Sequence, residues 1–174
     1  SDVYKRQVLD DFSVDLEALK NNDAAIVLAN PNAPTGRALP RDEIVALVES
    51  NRDRMVVIDE AYFGFGAETA VPLVAGHDNL VVTRSLSKSH GLAGLRVGYA
   101  IAQAELIEGL NRVKDSFNSY PLDAVAQSAA TAAIEDRQWL EAASQSVRDV
   151  REVMSTGLEE MGFEVLSCLL YTSP

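Results

Sequence analysis

"VVTRSLSKSHGLAGLRVGYA", residues 81–100, is the stretch from which the rest of the chain can be read. It opens as a β-branched apolar run, breaks into hydroxyls around Lys88, and then supplies three glycines and Arg96. An apolar run without polar alternation is the pattern of a strand buried on both faces, as in the parallel sheets of α/β proteins. Such sheets bind ligands beyond the carboxyl ends of their strands, which is where Ser85, Ser87 and Lys88 fall.

Four runs have this character: "AIVLAN" (25–30), "MVVIDEA" (55–61), "LVVTRSL" (80–86), which includes the start of the quoted stretch, and "VGYAIA" (97–102). Residues 40–51 carry apolar side chains at 44, 45, 47 and 48 behind an acidic first turn, which predicts an amphipathic crossover helix. Residues 67–79 form a looser link. Helices are predicted over "AELIEGLNRVKDSF" (104–117) and the alanine-rich "LDAVAQSAATAAIED" (122–136), then over a long polar stretch from about Arg137 to Met161 that Gly162 stops. "FEVLS" (163–167) is expected to open a further strand that has no partner among these residues. The fold class is therefore α/β, a mostly parallel sheet with flanking helices. "SDVYKRQ" (1–7) and "CLLYTSP" (168–174) match neither the flanking periodicity nor any cap or turn pattern, and are set aside as non-native ends.

The chain has 174 residues, enough for one domain with a core, and its 47% hydrophobic and 24% charged composition is that of a soluble globular protein. No run reaches the roughly 18 apolar residues of a membrane span. A formal charge of −11, with no cluster of Lys and Arg, disfavours nucleic acid as a partner. The single cysteine, Cys168, cannot close an intramolecular disulfide, no Cys/His set has zinc-ligand spacing, and no basic-then-apolar leader opens the chain; a reducing cytoplasm is expected.

Three segments converge on one sheet edge: "ANPNAPTG" (29–36), "DEAY" (59–62) and "RSLSK" (84–88). Each alone has a plainer reading. "VVIDEA" also suits an acidic turn after a buried strand, or the second motif of a phosphate-loop ATPase, although no G-x-x-x-x-G-K-[ST] precedes it. Lys88 alone reads as a solvated lysine, Arg96 as an ion-pair partner and "NAPTG" as a tight turn. His77 reads as a loop histidine, His90 as a residue supporting Lys88, and residues 124–133 as helix packing; Trp139 and Cys168 receive no role. "SLSK" is also S-x-x-K, with "SFN" (116–118) as a possible S-x-N partner, the layout of a serine acyl-enzyme. Against that reading, no K-T-G is present and the serine is expected to follow a strand rather than open a helix. A binding domain without catalysis is a third reading, disfavoured by the retained polar set and by the lack of a basic helix-turn-helix pattern.

A lysine, hydroxyls, an arginine and an acid in one cleft suit pyridoxal phosphate chemistry: a Schiff base on the lysine, an acid at the pyridinium nitrogen, and donors for the phosphate. The segments resemble the fold type I, class I/II aminotransferases over roughly residues 8–166. "RSLSK…GLAGLRVGY" with "DSFNSYPLD" most resembles their histidinol-phosphate branch.

That resemblance implies a truncated large domain at 8–135, a linking helix and the start of a C-terminal small domain at 136–167, and a homodimeric parent. It implies Lys88 as the residue that carries the cofactor and moves the proton, Arg96, Ser85 and Ser87 as phosphate ligands, Asp59 at the ring nitrogen and Tyr62 at the cofactor's O3′. The family's Asn-Pro-Thr-Gly asparagine is replaced here by Ala33, and Asn32 is the expected substitute. The reaction implied is ping-pong amino transfer between glutamate/2-oxoglutarate and histidinol phosphate/imidazole acetol phosphate, with an aromatic amino acid or other class I/II aminotransferase as the alternative. A glycine-containing phosphate loop and a carboxylate-binding arginine are expected from segments outside these residues.

Overall fold

The computed structural model describes residues 8–20 and 23–166, so the two ends set aside above and Cys168 lie outside the described residues. Strands β1 (Ile26–Ala29), β2 (Val56–Asp59), β3 (Leu80–Ser85) and β4 (Gly98–Ala102) form one sheet in the order β1-β2-β3-β4. The first three are parallel and β4 is antiparallel, with Ser85 paired to Gly98. The carboxyl ends of β1, β2 and β3 therefore meet the amino end of β4 on one edge. Gly98 permits this pairing, because a β-carbon there would lie 3.1 Å from the Arg84 carbonyl oxygen.

The crossover between β1 and β2 contains α2 (Arg41–Glu49), which turns Ile44, Leu47 and Val48 onto the sheet. These side chains and Val56, Ile58, Leu80 and Val82 are removed from solvent completely, and together they form the main core. Burying each such side chain contributes about 1.5–3 kcal/mol, so this face dominates the stability of the sheet. The carbonyls at the end of α2 are held by side chains: Asn51 donates to Leu47 O at 2.6 Å, and Asn79 Nδ2 reaches Val48 O and Asn51 O at 3.1 and 2.9 Å. The looser link carries a short 3-10 turn at Val71–Gly76.

A second cluster joins Leu86 and Val97 to Ala126 and Ala130 of α5 (Ala124–Glu135). Alanines spaced by one helical turn let that helix approach closely. The amphipathic helix α4 (Ala104–Phe117) precedes it, and α6 (Arg137–Glu160) follows. Asp136 begins α6 by accepting from Trp139 N at 3.0 Å, and Gly162, at φ +89°, follows its last turn. Near the start of the described chain lies the short α1 (Leu16–Lys20).

Three expectations are corrected. The strands are not all buried on both faces: among the described residues β1 is an edge strand, and Val27, on the face opposite the main core, is 75% exposed. Residues 163–166 form no strand, since no described strand pairs with them and unpaired backbone groups gain nothing from the extended form. The residues after β3 form a one-turn helix, α3 (Leu86–Ser89), because Ser85 Oγ accepts from Ser87 N at 3.1 Å and caps it.

Two glycines with opposite requirements test this packing. Gly64 sits at φ +92°, and a β-carbon there would lie 2.9 Å from Ser144 Oγ of α6. Gly109 lies in the exposed interior of α4 with nothing within 4 Å of its added carbon. Gly64→Ala should lower the unfolding free energy of the chain by at least about 1–2 kcal/mol, whereas Gly109→Ala should raise it by about 0.5–1 kcal/mol. Urea unfolding of both variants checks the pair of signs.

Candidate functional site

Side chains on a strand alternate between faces, so Asp59, Thr83 and Ser85 share one face of the sheet edge while Glu60 and Arg84 share the other. On the first face Asp59 Oδ1 accepts from Thr83 Oγ1 at 3.0 Å and from Ala61 N at 3.1 Å. Both bonds fall on Oδ1. Among the described residues no donor reaches Oδ2.

Beyond Asp59 the chain turns, and half-buried Tyr62 places its ring 5.5 Å from Lys88 Nζ. The lysine stands on α3, exposed, and forms no ion pair among the described residues. Ser85 and Ser87 are half-buried beside it; the Ser85 oxygen accepts the cap bond, and neither hydroxyl proton has an acceptor among the described residues. The expectation that the serine does not open a helix is thus corrected: Ser85 caps α3, with Lys88 on that helix. Its oxygen is engaged by the cap rather than by Lys88.

Arg96 follows a 3-10 turn at Ala93–Leu95 with a left-handed backbone, φ 55°, and donates from Nη1 to Ala93 O at 2.9 Å. A left-handed conformation costs a non-glycine residue about 1–2 kcal/mol. Arg96 is exposed and lies in no ion pair among the described residues. Asn32 is held within its own turn, donating from Nδ2 to Thr35 Oγ1 at 2.8 Å. The neighbouring Asn30 is buried and binds both backbone groups of Leu39, with Leu39 N donating to its Oδ1 at 2.7 Å. The structure thus brings Asp59, Tyr62, Ser85, Ser87 and Lys88 to one edge, whereas the hydrogen bonds of Asn32 and Arg96 stay local.

Several residues had no sequence signal. Thr83 orients Asp59, buried Glu60 and half-buried Arg84 form an ion pair at 2.8 Å, and Thr69 bridges that pair. From α6, Arg148 donates to Gly64 O at 2.7 Å and Arg151 to Phe65 O at 3.0 Å, which fixes the loop following Tyr62. His90 is 6% exposed, 5.8 Å from the Phe63 ring and stacked on Trp139 at 6.2 Å, so Trp139 has a packing role after all. In the segment "SFNSYPLD", Phe117 and Tyr120 are exposed, Tyr120 to 91%, and neither contacts the residues of this edge in any ring or cation pairing among the described residues.

Residues 2–168 match the model of the family described as aminotransferase class I and II. The chain belongs to the class I and II aminotransferases. It is 55% identical over 156 residues to histidinol-phosphate aminotransferase 1 of Bradyrhizobium diazoefficiens, covering 90% of this chain and 45% of that protein. It is 56% identical over 159 residues to histidinol-phosphate aminotransferase 2 of Thiobacillus denitrificans, covering 91% and 44%. Among solved structures it resembles the histidinol-phosphate aminotransferase of Sinorhizobium meliloti in complex with pyridoxal-5'-phosphate, with a TM-score of 0.79 and 25% identity over 93% of this chain and 45% of that one. The chain thus spans a little under half the length of the curated relatives it matches.

For this aminotransferase chain the buried histidine yields a pH test. Burial holds the His90 imidazole below the ordinary histidine range, and a hydrogen bond with the Ala133 backbone opposes the shift only in part. With the folded-state value depressed, the unfolded chain takes up this proton first as pH falls through about 6.5. Stability contributed here is therefore whole above that pH and declines below it. The thermal midpoint should fall between pH 7.5 and 5.5, and His90→Phe, which keeps the ring stack, should flatten that fall. An undiminished slope in the variant would place the titration elsewhere.

Proposed function

We propose that the full-length protein is a pyridoxal phosphate-dependent transaminase moving an amino group between glutamate/2-oxoglutarate and histidinol phosphate/imidazole acetol phosphate, as in histidine biosynthesis. Because these residues span under half of the relatives' length, the activity is assigned to the full-length protein and not to this chain alone. One observation carries the cofactor reading. In a chain of net charge −11, two cations at the carboxyl edge, Lys88 and Arg96, have no carboxylate partner among the described residues. Beside Lys88 stand two hydroxyl groups with protons to give. Such a set suits an anion, and a guanidinium suits a phosphate because its planar fork donates two hydrogen bonds.

The residues fit the cofactor in kind. Bound there, pyridoxal phosphate supplies an aldehyde that takes the amino group and a pyridinium ring that draws electrons from the substrate α-carbon. Ser85, Ser87 and Arg96 would hold the phosphate, Asp59 Oδ2 would keep the ring nitrogen protonated, and Tyr62 would donate toward the cofactor's phenolic oxygen. Asn32 Oδ1 accepts no hydrogen bond among the described residues, in keeping with a ligand role in place of Ala33. Lys88 would hold the cofactor through Nζ and, once released, move a proton at the substrate α-carbon. The domain reading is a central piece of the large domain at 8–135 and, at 136–167, the linking helix with the start of the small domain. A homodimeric, cytoplasmic parent completes the proposal; among the described residues no helix is long and apolar enough to cross a membrane.

Borohydride reduction of the full-length protein should leave a pyridoxyl group on the Lys88 peptide, and Lys88→Ala should abolish it. An adduct persisting on another lysine would overturn the assignment.

The substrate branch is supported by the two relatives rather than by the cleft. An aromatic amino acid is the nearest competitor, because hydrophobic contact separates an imidazole from a phenyl ring by only about 1–3 kcal/mol. A phosphate-bearing substrate gains charged hydrogen bonds that phenylalanine cannot make. Comparison of kcat/KM on the full-length protein should favour histidinol phosphate by at least about tenfold, equivalent to 1.4 kcal/mol. A preference for phenylalanine would refute the branch and leave the transaminase reading standing.

A further inference from the structure

We propose that the pair of buried Glu60 and half-buried Arg84 is a positioning device for the site, setting from the opposite face of the sheet how Asp59 stands relative to Ser85 and Lys88. The inference rests on the cofactor reading above and adds residues that it does not use.

The pair occupies the junction between the two segments that carry the site. Glu60 follows Asp59 and Arg84 precedes Ser85, and the Glu60 backbone N donates to Thr83 O at 2.8 Å as a further rung beyond β2. Glu60 is 2% exposed, and both of its carboxylate oxygens are occupied. Oε1 accepts from Ala70 N at 2.6 Å, and Oε2 accepts from Arg84 Nε and Nη2 at 3.0 and 2.8 Å. Thr69 Oγ1 lies 3.0 and 2.8 Å from the two carboxylate oxygens and accepts from Arg84 Nη2 at 2.7 Å. The guanidinium also lies 4.2 Å from the centre of the Phe63 ring, next to Tyr62. One cluster therefore ties the residue after Asp59, the residue before Ser85, the turn bearing Tyr62 and the start of the following link.

Stability alone is a weak account of such a cluster. Replacing a buried ion pair by apolar groups of similar volume is often neutral or stabilising, so the pair's place in the fold calls for another reason. Geometry supplies one. Asp59 and Lys88 address different atoms of one rigid cofactor, and a displacement of about 1 Å between groups that must act together can lower a rate by up to about a hundredfold. The arginine fork fixes direction as well as distance, which a lysine ammonium does not.

The test uses the full-length protein loaded with pyridoxal phosphate. Arg84→Lys keeps the charge and loses the fork, Glu60→Gln keeps the shape and loses the charge, and Asp59→Asn marks what a missing site carboxylate looks like. The pH titration of the cofactor's visible absorbance is read without substrate, and kcat and KM are read separately below the melting point of every variant. Both pair variants should shift the absorbance titration in the direction of Asp59→Asn and lower kcat by about tenfold, with KM within about threefold. A lowered melting temperature with an unchanged titration and unchanged kcat would make the pair structural and overturn the proposal. Should either variant fail to fold, Thr69→Val removes only the bridging hydroxyl; it should give a smaller shift of the same sign, and an unchanged titration and kcat there would likewise overturn it. Absence of cofactor from Lys88 in the unaltered protein would instead strike the reading on which the inference rests.

Discussion

Alternation along a strand forces Asp59 and Glu60 to opposite faces of the sheet, and the site depends on that constraint more than on any single bond. Because β2 and β3 are in register with Asp59 opposite Thr83, each face receives a cross-strand pair at the same level. The site face receives a carboxylate steadied by a hydroxyl, and the other face receives a carboxylate closed by a guanidinium. A one-residue slip would exchange the two, leaving a solvent-facing ion pair and a buried aspartate without its arginine. Register is thus held from both faces at the ends of β2 and β3.

Much of the fold was legible because β-branched runs and helical periodicity are local properties. Each of the four apolar runs contains an observed strand, and the three long helices fall where periodicity, alanine content and Gly162 place them. The shared edge position of Asp59, Ser85, Ser87 and Lys88 could be read because each stands at or just beyond the end of an apolar strand run. Thr83 and the Glu60–Arg84 pair could not, since their roles follow from a cross-strand register that joins positions 24 residues apart, and Thr69 could not, since it reaches the pair from the link between β2 and β3. Exposure was misjudged at Val27 for a related reason: a β-branched run tells that a strand forms, but not which neighbours cover it. The short helix α3 was not legible because one serine oxygen decides it, and "SLSK" contains a second serine with the same capping chemistry.

The electrostatics follow the same division between local and distant partners. Arg41, Arg84 and Arg112 each lie beside a glutamate, so the acidic surplus of the chain is available to cations. Lys88 and Arg96 stand apart from it because the nearest elements present hydroxyls, backbone carbonyls and an aromatic ring instead of carboxylates. Asp59 does not cancel this bias, since it is turned toward Thr83 and Ala61 and offers its remaining oxygen to whatever enters. A site that keeps cationic and hydroxyl donors at one place and a single acceptor at another discriminates by arrangement, since a simple anion satisfies only the first and a simple cation only the second.

The turn bearing Tyr62 joins these features to the helix that follows the alanine-rich packing. Arg84 lies against Phe63 from within the sheet, while Arg148 and Arg151 hold the carbonyls of Gly64 and Phe65 from α6. Gly64 is required between them, because its left-handed backbone aims its carbonyl at Arg148 and its missing side chain admits Ser144. Helix α6 is accordingly fastened to the site through a loop only a few residues long. Any displacement of α6 must either break two charge-assisted hydrogen bonds or carry the loop, and with it the Tyr62 ring that faces Lys88. The mobility of residues 137–160 and the placement of Tyr62 are therefore one mechanical quantity, fixed by two arginines and a glycine.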